Sequence, residues 1–207
     1  MLDMIAILKT KWISPPKPVT QSFEGKTILV TGATSGIGLE AVTKFAGLGA
    51  SKIIMAARDL KKGDSTKLAI EDRVGRKDQL EVWKLDMTSY ESIAAFAKRA
   101  ETLDQLDIAV MNAGVTKANF KQSEYGWEES VQVNTLSTIL LGVLLLPKLQ
   151  ASQRVTGRTS VLEFVNTGLH RNAIVSPEAQ KQSSILQWYN KAENFSSMSQ
   201  YVSSDGE

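Results

Sequence analysis

The sequence predicts an α/β fold of the doubly wound kind, a parallel sheet with helices on both faces. Three observations predict it. Short β-branched apolar runs alternate with helix-length amphipathic segments, five runs in all, and such alternation implies right-handed crossovers and a sheet buried on both sides. The first run ends in a glycine-rich turn that opens directly into a helix. The chain of 207 residues, 43% hydrophobic and 22% charged, has the composition of a globular protein with one core.

Each element follows in order. After the proline cluster SPPKP (14–18), which continues neither helix nor sheet, KTILVTG (26–32) reads as the first strand. LEAVTKFAGLGA (39–50) places Leu39, Val42, Phe45 and Ala46 on one helical face. SKIIMAA (51–57) is the second strand, and a charged helix runs from there to about Val74. QLEVWKLD (79–86) is the third strand, and a helix is expected near 89–100. LDIAVMNAG (106–114) is the fourth strand, a long helix is expected over about 128–149, and SVLEFVNT (160–167) is the fifth strand. Residues 1–21 read as an N-terminal extension, and 22–207 as one domain.

Composition excludes several function classes. The net charge of +2 comes from 24 basic and 22 acidic residues spread along the chain, so no basic face points to nucleic acid. There is no cysteine and a single histidine, His170, which leaves no expected metal site and fits a reducing, cytoplasmic location. The longest apolar run, ILLGVLLLP (139–147), is about half of the roughly 20 residues that cross a bilayer. A buried helix is expected there, with no integral membrane segment. Neither that run nor the N-terminal MLDMIAIL supports export, because a secretory signal wants a basic start and a longer apolar stretch.

The turn TGATSGIG (31–38) lies between the first strand and the first helix. Gly32 can take backbone angles closed to other residues, Gly36 has no side chain to obstruct a pyrophosphate, and Gly38 allows helix and strand to approach. Ser35 and Ile37 complete the loop, and the helix starting near Ile37 offers unpaired N–H groups to phosphates. A dinucleotide is therefore the expected ligand. The second strand ends Ala57-Arg58, where a coenzyme with a free 2′-hydroxyl would want a carboxylate. Arginine suits the oxygens of a 2′-phosphate instead, so NADP(H) is expected, although Asp59 adjoins Arg58 and could pair with a basic neighbour, and Arg58 alone could be a solvated surface residue.

These motifs resemble the short-chain dehydrogenase/reductase family. The loop with three residues between its first two glycines is that family's form, and LDMTS (85–89), MNAG (111–114) and VNTLS (133–137) resemble its later segments in order. The resemblance runs from about Ser22 to Ser204. It implies a Rossmann-type fold in which Asp86, Asn112, Ala113 and Gly114 serve the coenzyme and Asn134 belongs to the active site. FEGKTILVTGATSGIGLEA and AARDLKKG look closest to retinol-dehydrogenase-like and fungal secondary-metabolism reductases. The implied reaction transfers a hydride between nicotinamide and a carbonyl or alcohol carbon, while a tyrosine exchanges the proton on oxygen. The partner is then a small molecule, which Ile185, Trp188, Tyr189 and Phe195 suggest is lipophilic.

The resemblance weakens at the catalytic end. VNTGLH (165–170) puts Thr167 where the family has its substrate-orienting serine, and MSQYVSS (198–204) puts Tyr201 at the catalytic tyrosine. Four residues after Tyr201 the family has a lysine that lowers the tyrosine's pKa, and here stands Asp205. An aspartate close by would raise that pKa. The family's later strands are also missing, so the fifth strand is expected to be an uncovered edge, and the ending reads as a truncation. A truncated, catalytically silent nucleotide-binding or partner protein is the alternative expectation.

Overall fold

The computed structural model describes residues 17–167 and 175–196. Tyr201, Asp205, His170 and residues 1–16 of the expected extension lie outside the described residues. Five parallel strands, β1 (Thr27–Thr31), β2 (Lys52–Ala57), β3 (Leu80–Lys84), β4 (Ile108–Met111) and β5 (Val161–Phe164), are ordered β3-β2-β1-β4-β5. Between them run α1 (Gly36–Gly47), α2 (Leu60–Val74), α3 (Tyr90–Glu101) and α4 (Thr138–Thr156), with two short helices, α5 (Pro177–Gln180) and α6 (Ile185–Tyr189), after β5. This is the doubly wound fold that the alternation predicts.

The central strand carries the logic of the core. All five residues of β1 are buried, because a parallel strand with helices on both faces has no side open to water. Leu29 contributes to one apolar layer with Ile54, Trp83, Phe96, Leu141 and Leu145. Ile28 and Val30 contribute to the other with Val42, Ala46, Ile53 and Ile70. At the end of the sheet away from the strands' C-termini, buried Asp107 accepts hydrogen bonds from Thr27 N–H (2.8 Å) and Gln105 Nε2 (3.0 Å) and pairs with Arg158 (3.1 Å). Three chain segments are fastened there, which leaves the opposite end free for ligands.

Three boundaries differ from expectation. Helix α1 begins at Gly36, one residue before the expected start near Ile37, and ends at Gly47 rather than running to Ala50. The long helix does not stop at 149: it passes through Pro147 and ends at Gly157, whose left-handed φ of 67° lets its N–H bond to Gln153 O. It opens with a π-helical turn, Val131–Ser137, and Thr138 Oγ1 donates to Val133 O at 2.8 Å across it. The whole stretch Val131–Thr156 is long and apolar enough to cross a membrane by length and composition. One face of it, with Val131, Val133, Leu141, Leu145 and Leu149, is buried in the domain, while Ile139, Val143, Leu144 and Leu146 on the other are exposed. Strand β5 ends at Phe164, short of the expected 167, and pairs only with β4 among the described residues. Val161, Phe164 and Val165 are 41%, 44% and 40% exposed, as an uncovered edge requires.

Candidate coenzyme and active site

A cleft of about 410 Å³ opens at the C-terminal ends of β1 to β4. Its walls are the glycine loop, the end of β2, residues 85–88 after β3 and residues 112–115 after β4. Ligands of open parallel sheets bind at this place, where the strand order reverses. Here β1 lies between β2 on one side and β4 on the other.

The loop is shaped by close approach. Gly32 sits at φ 65°, and a side chain there would come within 3.0 Å of Ala113 Cα. A Cβ on Gly38 would stand 2.4 Å from Gly32 O and 2.5 Å from Asn112 Nδ2. Gly36, at φ 53°, instead faces open space. The loop is therefore tight against β4 and open where α1 begins. Ser35 occupies the N-cap of α1 yet makes no side-chain cap hydrogen bond. Asp59, Ser89, Ser176 and Ser184 do cap their helices. The first turn of α1 thus keeps its N–H groups for a ligand anion, the arrangement a pyrophosphate uses.

Thr31, which sequence reasoning did not single out, joins the loop to the segment after β4. Its buried Oγ1 accepts from Asn112 N–H and Ala113 N–H, both at 2.9 Å, and donates to Val110 O at 3.4 Å. Asn112 Nδ2 adds a bond to Thr31 O at 3.0 Å. Two walls of the cleft are fixed by one hydroxyl.

On the far wall, Asp86 Oδ1 accepts from Thr88 N–H (3.0 Å) and Thr88 Oγ1 (2.7 Å). Burial pushes this carboxyl up, but the two Thr88 bonds and the positive charges of Arg58 and Lys84 outweigh it, so its pKa lies below the ordinary aspartate value. Buried Gln132 donates from Nε2 to Thr88 O at 2.9 Å, tying this wall to the π-helical turn. Arg58 is exposed on the rim, and Ala57 beside it is buried. Asp59 is committed elsewhere: its carboxylate accepts Lys62 N–H at 3.1 Å as the cap of α2. An aspartate directly before the first helical residue at a strand-to-helix junction is the sequence signal for that role.

Of the residues picked out from sequence, Gly32, Ser35, Ile37, Arg58, Asp86, Asn112, Ala113 and Gly114 line the cleft, while Gly36 and Gly38 lie in the turn behind it. Asn134 sits in the π-helical turn next to the lining residue Val133. Its Oδ1 accepts Val115 N–H at 2.8 Å and its Nδ2 donates to Val115 O at 2.9 Å. It grips the backbone of the loop after β4 as a paired strand would. Thr167 is half-buried beyond the end of β5, with its N–H donating to Asn166 Oδ1 at 2.6 Å. Tyr201 lies outside the described residues.

The segment after β5 is anchored on the loop that follows β4, and Ile185, Trp188, Tyr189 and Phe195 are not among the residues lining the cleft. Asn190 Oδ1 accepts Glu128 N–H at 2.6 Å, Asn190 Nδ2 donates to Gly126 O at 2.7 Å, and the rings of Phe120 and Phe195 meet edge to face at 5.9 Å. Buried Glu129 holds Lys117 (2.6 Å) and Lys121 (2.8 Å) of the preceding loop.

A family model described as short chain dehydrogenase matches residues 26–161. The short-chain dehydrogenase/reductase phmF of Phaeosphaeria nodorum is 44% identical over 190 residues, covering 91% of this chain and 56% of that protein. The short-chain dehydrogenase/reductase ffsI of Aspergillus flavipes is 41% identical over 194 residues, covering 92% of this chain and 57% of that protein. The chain thus spans little more than half the length of these relatives. Among solved structures, a short chain dehydrogenase from Escherichia coli CFT073 complexed with NADPH matches with a TM-score of 0.65 at 26% identity, over 91% of this chain and 69% of that one. The oxidoreductase yciK from E. coli matches with a TM-score of 0.65 at 26% identity, over 91% and 68%. With a matching family model across most of the sheet and relatives this similar along nearly its whole length, the chain belongs to the short-chain dehydrogenase/reductase family.

Proposed function

We propose that the protein is an NADP(H)-dependent oxidoreductase acting on a carbonyl or alcohol of a small lipophilic molecule, in the secondary metabolism of its host. One observation carries the coenzyme reading: the cleft combines an uncapped helix N-terminus at Ser35 with exposed Arg58 beside buried Ala57. The first suits a pyrophosphate and the second a 2′-phosphate. Asp59, the nearest carboxylate in sequence, is spent as a helix cap. The NADPH complex of the E. coli CFT073 structure supports the same ligand class.

When bound, a nicotinamide coenzyme supplies the hydride-transfer chemistry. The chain's own contribution is to seat and orient it. Gly36 and the N–H groups of α1 leave room and donors for the pyrophosphate, Asp86 and its Thr88 clamp shape the adenine end, and Asn112 to Gly114 form the inner wall. Asn134 keeps that wall in place through Val115. Thr167 and Tyr201 are assigned the substrate-oxygen and proton-exchange roles from their positions in the family motif. The apolar content of residues 185–195 supports a lipophilic substrate, and the likeness to fungal short-chain dehydrogenase/reductases supports a secondary-metabolic role.

Fluorescence titration of the 207-residue chain tests the reading. NADPH is expected to bind in preference to NADH, and Arg58→Ala to weaken NADPH by about tenfold, the value of one charge-assisted contact, while NADH is unaffected. Equal binding of the two coenzymes by the unaltered chain would overturn the NADP(H) assignment. Absorbance assays with lipophilic ketones and aldehydes then separate an active enzyme from a chain that binds coenzyme without turnover, the outcome that Asp205 in place of lysine favours.

A further inference from the structure

We propose that Lys84 is a second specificity-determining cation of the cleft, meeting the 2′-phosphate of the coenzyme alongside Arg58. This rests on the NADP(H) reading above. Lys84 is the last residue of β3, and in the parallel register it lies directly beside Ala57, the position where a carboxylate would face a free ribose hydroxyl. Its side chain does not simply extend into solvent. Nζ turns across the strand ends and donates to Arg58 O at 2.5 Å, so an exposed lysine is held against the residue that carries the guanidinium. That bond uses one of the ammonium's three donors.

Electrostatics point the same way. Neither Arg58 nor Lys84 takes part in an ion pair among the described residues. Asp86, the wall carboxylate that both cations influence, spends Oδ1 on Thr88. Two positive side chains thus stand on adjacent strand ends beside the cleft, near enough to Asp86 to act on its carboxyl yet in an ion pair with neither it nor another carboxylate among the described residues. A phosphate carrying close to two negative charges is the ligand that satisfies both.

The test compares Lys84→Met and Lys84→Arg with the unaltered chain, by NADPH and NADH titration over a range of salt concentrations. Lys77→Met, which removes an equal charge before the opposite end of β3, is the control. Lys84→Met is expected to weaken NADPH roughly five- to tenfold, to change NADH less than about twofold, and to flatten the salt dependence of NADPH binding. Lys84→Arg should recover most of the loss, and Lys77→Met should match the unaltered chain. Equal weakening of both coenzymes, or unchanged NADPH affinity in Lys84→Met, would overturn the assignment and reduce Lys84 to a tie between strand ends. In that case a persisting NADPH preference and Arg58→Ala effect would leave the NADP(H) reading intact. If the unaltered chain binds both coenzymes alike, that reading fails and the Lys84 assignment fails with it.

Discussion

Thr31 shows how much one side chain organises. Its hydroxyl serves two N–H groups of the β4 segment and is itself fully buried. Thr31→Val keeps the shape and removes the acceptor, leaving Asn112 and Ala113 N–H groups without it. The expected loss is about 1–3 kcal/mol of unfolding free energy in urea, with NADPH affinity falling in parallel, whereas Thr31→Ser should keep most of both. A Thr31→Val protein as stable as the parent would show that water replaces the hydroxyl. Thr31 opens the TGATSGIG turn, but its role could not be read there, because its partners are 81 and 82 residues away and the link exists only once β1 and β4 are in register. Lys84 was hidden for the same reason. The glycine loop, by contrast, was legible from its spacing, since every step from strand to turn to helix is local.

Among the elements, the spacing of helix and sheet is set by small residues. A Cβ on Gly63 of α2 would fall 2.4 Å from Val82 Cγ1 of β3, with Ala57 Cβ at 3.4 Å on the other side. Gly142 of α4 faces Phe164 Cζ at 2.9 Å, but Phe164 is 44% exposed and can swing away. Gly63→Ala is therefore expected to cost about 1–3 kcal/mol by overpacking despite the better helix propensity of alanine. Gly142→Ala should lie near zero or stabilise, and thermal or urea unfolding of the pair decides between them. The existence and order of the helices followed from apolar periodicity. The π-helical turn around Asn134 did not, because periodicity cannot distinguish an extra residue per turn within an apolar helix. Nor could it show that Pro147 is tolerated within α4, whose end is fixed by Gly157.

For the molecule as a whole, acid sensitivity follows from its carboxylates. Burial pushes the Glu129 carboxyl up, but hydrogen bonds from Lys117 and Lys121 outweigh it and hold its pKa below the ordinary glutamate value. Asp86 is lowered by the balance already described, and Glu81 chiefly by the bond from Trp83 Nε1. A carboxylate whose folded pKa is depressed contributes stability that is complete above its unfolded pKa and is lost as pH falls through the folded one. Unfolding free energy should therefore hold steady above about pH 5 and decline below about pH 4. Glu129→Gln should be less stable at neutral pH and show a shallower decline. A decline as steep as the parent's would remove Glu129 from the account. The parallel sheet was readable from the alternation of strand and helix, and the open edge at β5 from the family resemblance, whose later strands have no counterpart in the sequence. The Asn134 clamp was not, and it has a consequence for how the molecule breathes. The Val115 amide is bonded to a side chain on a helix rather than to a neighbouring strand, so its proton can exchange with solvent only when that helical turn releases it. Hydrogen exchange at this single amide then times the opening of the coenzyme cleft, and a bound ligand lying against this wall should slow it.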